Sequence, residues 1–246
     1  MRESIETLKD KILLLYLLSK IKEYGEMSGN LKLQKIVFLS ENELMNTGIK
    51  GFHFKFFRYN IGPFSKELMI DYNDLNADGF VSSYFTLKSR AEDLLDYIID
   101  PLKEIQNNQN TFGIIDKICK TYGSYSGLKL TNIVYDMVIE PYDLQKEMKI
   151  KDIPPFIDIL VPECFDAEIK FEIPNLLLED IKREFVIGEI SDKESIKIID
   201  KAENRLINAI RNKIKPSEKV EFIKKMKSDG ISPELIKKFS SSQTTS

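Results

Sequence analysis

A chain of 246 residues with 42% apolar and 30% charged side chains has ample material for a core, which excludes disorder as its general state. A single histidine, His53, no tryptophan, and two widely separated cysteines, Cys119 and Cys164, exclude a disulfide scaffold, a thiolate metal cage and any site that needs two imidazoles. A net charge of −3 argues against broad nucleic-acid binding, and neither G-x-x-x-x-G-K-[ST] nor G-x-G-x-x-G occurs, so the function classes left are a binding module, a regulator or a carboxylate-based enzyme.

The apolar stretch 12–18 is closed by lysines on both sides and falls short of the roughly 18–20 residues of a membrane span. With acids ahead of that stretch and no small-residue cleavage site after it, the chain reads as cytoplasmic, with both thiols free and buried. Leu8, Ile12, Leu15, Leu18 and Ile21 predict an amphipathic helix over 4–24. After Ser28-Gly29-Asn30 a second helical pattern runs from Leu31 through Leu33, Ile36, Val37 and Leu39 to about Met45 and stops at Thr47-Gly48. Residues 52–59 alternate aromatic and polar side chains as a half-buried strand does, and Asn60-Ile61-Gly62-Pro63 turns the chain. Ser65 opens a helix that stops at Gly79, 80–87 reads as extended, and helices follow at 88–106, 112–122 and 126–138, with Asn107-Asn108-Gln109-Asn110 as a joint. Pro154-Pro155 marks a boundary, beyond which 156–173 predicts one or two short strands and 175–185, 192–214 and 217–239 are helical.

The run Lys32-Leu33-Gln34-Lys35-Ile36-Val37-Phe38-Leu39, followed by Phe54-Lys55-Phe56-Phe57-Arg58-Tyr59-Asn60-Ile61-Gly62-Pro63-Phe64-Ser65, resembles the Panacea (SocA-like) antitoxin domain and its YwgA-like relatives. The resemblance spans about residues 5–140 and rests on Leu33, Gln34, Lys35, Phe57, Tyr59, Gly62 and Pro63. Two residues separate Tyr59 from Gly62, a departure from the commoner antitoxin turn that places the chain nearer the YwgA-like side. The resemblance implies a helical domain with a small hairpin, an antitoxin-like role, a protein partner and no catalytic residue. The same residues have a purely architectural reading. Gln34 and Lys35 would satisfy backbone carbonyls of the neighbouring strand, and Gly62-Pro63 would permit a tight strand-to-helix connection.

Helix, helix, strand, helix, strand also outlines a winged helix, but the candidate recognition helix 65–78 sets Lys66 against Glu67, Asp71, Asp74 and Asp78. Phe52, Phe54 and Phe56 share a strand face and predict core; with Phe57 and Phe64 they could instead stack a ligand. His53, with no ligand partner at suitable spacing, predicts a surface or hydrogen-bonded imidazole. Asp158 followed by Glu168-Ile169-Lys170 is the one nuclease-like pattern, a divalent-cation site if the strands are adjacent, yet it lies in an acidic stretch that repels a polyanion.

Residues 205–246 carry 10 Lys/Arg against 4 Asp/Glu, net +6. Within them Val220, Ile223 and Met226 lie on one side, flanked by Lys224 and Lys225, which suits a docking segment for a protein; a solvated basic face, or one for nucleic acid, has the same composition. The expectation is an α+β, mainly α chain: a helical domain over 1–152 with a small β-hairpin, a smaller α+β region over 153–215 and a basic helical segment with a tail over 216–246. It is expected to be a non-enzymatic, cofactor-free module that binds and occludes another protein, a toxin or host factor, and to act away from membranes. A DNA-binding regulator is the alternative and a metal-dependent nuclease the third reading.

Overall fold

The leucine-rich stretch after Glu3 combines good helix formers with a reciprocal cap, in which Glu3 accepts from the third helical residue and Glu6 accepts from the Glu3 N–H at 2.9 Å. The resulting helix α1, Ser4–Tyr24, is buried almost all round through its middle: Leu13, Leu14 and Leu17 are as inaccessible as Ile12 and Leu15. It is therefore a central helix rather than the amphipathic one that its spacing predicts. The computed structural model describes residues 2–185 and Ile223. Over them the chain is α+β and mainly α, with 59% helix and 11% strand, so its sheets are accessories to a helical body.

Helix α2 (Asn30–Asn46) leads into β1 (Ile49–Lys50), the hairpin β2 (Phe56–Tyr59) and β3 (Gly62–Phe64), and then α3 (Lys66–Ala77), which the Ser65 side chain caps by accepting from the Leu68 N–H. Three further helices follow, α4 (Ser89–Lys103), α5 (Gln106–Tyr122) and α6 (Gly127–Asp136). Helix α5 packs on α1, α2 and α4, α6 on α2, and α3 on α1. The chain then forms β4 (Val138–Ile139), β5 (Met148–Lys149), β6 (Asp158–Leu160), β7 (Ile169–Lys170) and α7 (Asn175–Glu184).

Three small sheets result. β2 is central in the order β3-β2-β6, β1 pairs in parallel with β7, and β4 pairs with β5. Pro154-Pro155 is thus no break between cores. β6 joins the hairpin sheet, Phe171 packs on Phe112 with ring centroids 5.5 Å apart, and Phe185 stacks on Phe80 at 4.9 Å, so residues 153–185 complete the core of 1–152. The expected segment 216–246 lies outside the described residues except for Ile223, which is helical and half-buried.

Other expectations change for local reasons. Residues 107–110 are the first turn of α5 and not a joint, because the buried Asn108 amide donates to Leu102 O and Glu172 O and accepts from the Glu172 N–H. The stretch 80–87 closes through one bridge, Val81 to Leu87, and so does not make a two-stranded wing. Cys119 is buried, whereas Cys164 is exposed in a short 3-10 turn. Among the described residues no helix is long and apolar enough to cross a membrane.

Gly62 has a φ of 96°, and a Cβ built there would lie 3.3 Å from both Cε and Nζ of Lys35. Gly62→Ala therefore combines a left-handed backbone with a tight contact and should cost about 1–3 kcal/mol. An unchanged melting midpoint would show that the turn is unconstrained.

Candidate functional site

Residues 52–54 are buried and Lys55 is half-buried, yet none of them forms a ladder. Their amides are taken up by carboxylates from three helices: the Phe52 N–H donates to Glu41 of α2 at 3.1 Å, the His53 N–H to Asp10 of α1 at 2.8 Å and the Lys55 N–H to Glu67 of α3 at 2.7 Å. The rings of Phe52, Phe54 and Phe56 enter the core beside them. His53 is buried and hydrogen-bonded, its Nδ1 lying 2.9 Å from Asp10. The same Asp10 and Asp71 of α3 are bridged by Arg2, at 2.6 and 2.7 Å, which ties α1 to α3. Burial and then the neighbouring Asp10 push the Glu41 carboxyl well above the usual carboxylate range. Burial likewise lifts Asp71 to about 6.

Farther along the same segment, Gln34 and Lys35 take over. The Gln34 amide donates to Ser65 O at 2.9 Å and accepts from the Ser65 N–H at 2.8 Å, as a strand neighbour would. Lys35 Nζ donates to Pro63 O at 2.8 Å. The Arg58 guanidinium lies 5.0 Å from the centre of the Tyr135 ring, and its Nε donates to Ile150 O. Burial, reinforced by Arg58, lowers the Lys35 ammonium to about 7. Both motif residues thus act on backbone.

The opposite face of the hairpin differs. Phe57 is paired with Phe64 across the strands, and Tyr59 stacks on Phe64 at 4.9 Å. Phe156 stacks on Phe57 at 6.4 Å, with a φ of 69° that is rare for a bulky residue. All four rings are half-exposed and pack on each other outside the hydrophobic core, so the expected aromatic cluster divides in two. Lys66 lies over Phe57, and the Lys55–Asp158 ion pair stands on the same face. Ile61 at the hairpin tip and Tyr142, whose N–H donates to Ile159 O beside β6, are both 47% exposed.

The nuclease-like pattern comes apart. Asp158 is on β6 and pairs with Lys55, whereas Lys170 is on β7 in another sheet. Among the described residues no group of three or more His, Cys, Asp or Glu could hold a metal ion. On α3, Asp71 and Asp74 turn inward to Arg2 and Lys11, which removes much of the acidic surface expected there. Val220, Lys224, Lys225 and Met226 lie outside the described residues. Comparison with family models, curated proteins and solved structures finds no match.

Arg2, Asp10, Arg58 and Phe156 escaped sequence reasoning. No local spacing links Arg2 or Asp10 to partners far along the chain, and Phe156 follows two prolines that conceal its direction. The buried Lys35 carries a pH signature. It loses its proton near pH 7 when folded and near 10.5 when unfolded, so folding gains stability as pH rises above 7 and loses it as pH falls through 7. Between pH 7 and 8.5 the unfolding free energy should rise by about 1–2 kcal/mol, and urea titrations of Lys35→Met should lack that rise. Parallel pH profiles for the two proteins would contradict it.

Proposed function

We propose that this chain is a non-enzymatic, antitoxin-like binding module of the Panacea/YwgA-like kind, which occludes another protein through the outer face of its hairpin. The observation that carries the reading is the cluster Phe57, Tyr59, Phe64 and Phe156: half-exposed rings that pack outside the core and need no place in it. Aromatic anchors of this kind supply most of the affinity at protein interfaces. A phenylalanine held at positive φ also stores strain of about 1–3 kcal/mol, which structures concentrate at functional sites.

Charge selects the partner. Residues 140–163, which include β6 and the Tyr142 edge, carry 6 Asp/Glu against 3 Lys, net −3. The partner that fits is a basic segment with apolar anchors. DNA is a poor fit, because Lys66 is the only cation on α3.

Replacing two rings tests the reading. Phe57→Ser with Tyr59→Ser should lower stability by no more than about 1–2 kcal/mol, the value of surface cross-strand pairs. The same protein captured from a lysate by wild type and by the distant Tyr84→Ser should be lost by the double variant. Equal capture by all three would overturn the docking face.

A further inference from the structure

Two cations meet on the inner side of the hairpin. Arg58 stands opposite Pro63 across the ladder, on the strand face away from Phe57 and Phe64, and Lys35 of α2 donates to the Pro63 carbonyl from within. Lys35 is 2% exposed, and Pro63 O takes one of the three donors of its ammonium. Arg58 donates through Nε to Ile150 O, while its Nη1 is enclosed and has no hydrogen-bond partner among the described residues. Buried donors are nearly always paired, and the requirement is strongest for a charged group.

The electrostatics of the pair agree with that geometry. Among the described residues Arg58 is the one charged group that bears on Lys35, and burial, with this repulsion second, lowers the ammonium to about 7. Asp136, next in sequence to Tyr135, is turned to Lys151 instead. Gly62 leaves the space beside the ammonium clear, since a Cβ there would stand 3.3 Å from Lys35 Nζ and 3.4 Å from Tyr135 Cε1.

We propose that Lys35 and Arg58 form a binding site for a phosphate-type dianion, which accepts from Arg58 Nη1 and from the remaining donors of Lys35 Nζ beside Gly62. The charges match: a phosphoryl group carries about −1.5 to −2 near pH 7, enough for both cations, where a carboxylate would answer only one. Guanidinium and ammonium are also the groups that proteins set against phosphate oxygens. The ion enters past Arg58 and Tyr135, which are only half-buried. Once bound it links β2 to α2, and with the Tyr135 hydroxyl donating to Asn60 O at 3.0 Å it fastens the hairpin to both α2 and α6. The site lies on the opposite side of the hairpin from the outer rings and stands whether or not those rings dock a partner.

The probe is inorganic phosphate, added to the full chain at about pH 7 and at constant ionic strength against chloride, with melting midpoints and titration calorimetry as readouts. Phosphate should raise the midpoint of the wild type and of Lys120→Met, which removes an exposed cation of α5, and chloride should not. Arg58→Gln and Lys35→Met should each weaken phosphate binding about tenfold or more. Amide spectra of the wild type keep the test decisive if either variant melts early: phosphate should shift the Arg58 and Gly62 signals and leave those of α4 in place. Phosphoserine carries the same dianion on a larger molecule. Binding comparable to that of phosphate assigns the site to phosphoryl esters, and binding of phosphate alone assigns it to the free ion. No binding of either ligand by the wild type, equal binding by all four proteins, or shifts confined to other residues would overturn the site.

Discussion

Residues 52–54, Gly62, Pro63 and Ser65 are buried in a helical body, where a missing backbone hydrogen bond costs about 1–3 kcal/mol each. The fold meets that requirement with side chains. Asp10, Glu41 and Glu67 accept the amides of 52–55, and Gln34 and Lys35 serve Ser65 and Pro63. Three helices together replace a sheet neighbour, and their positions follow from that duty. The carboxylates carry a second load, because a buried charge needs a partner. Arg2 answers for Asp10 and Asp71, while Glu41 is driven toward its neutral form.

This arrangement also frees a surface. Since α2 holds the hairpin from inside, the outer rings contribute little to holding it down. A core residue such as Phe56 cannot be spared, whereas Phe57, its neighbour in sequence, faces away from the core. Strand alternation turns successive residues to opposite faces, as its period of two requires.

Much of this was legible in the sequence. Helices α1, α2 and α3, the Ser65 cap, the burial of Phe52, Phe54 and Phe56, and the service of Gln34 and Lys35 to strand backbone all follow from local spacing or from the chemistry of the residue types. What stayed hidden depends on distant pairing. A strand over 52–59 was the natural expectation from alternation, but only Phe56–Tyr59 form a ladder, because the amides before it are taken by carboxylates that no periodicity announces. Two-residue strands such as β4 and β5 are too short to leave a pattern. Asp158 and Lys170 matched a catalytic spacing in one dimension and separated into different sheets in three.

The central claim is that side chains of the helices stand in for a sheet partner, and amide hydrogen exchange at Ser65 tests it most directly. In the wild-type protein this amide, which donates to the Gln34 side chain, should exchange about as slowly as the core of α1, because opening it requires α2 to leave the hairpin. In Gln34→Ala its protection should collapse while that of α1 persists. Rapid exchange at Ser65 in the wild type, or unchanged protection in Gln34→Ala, would contradict the account.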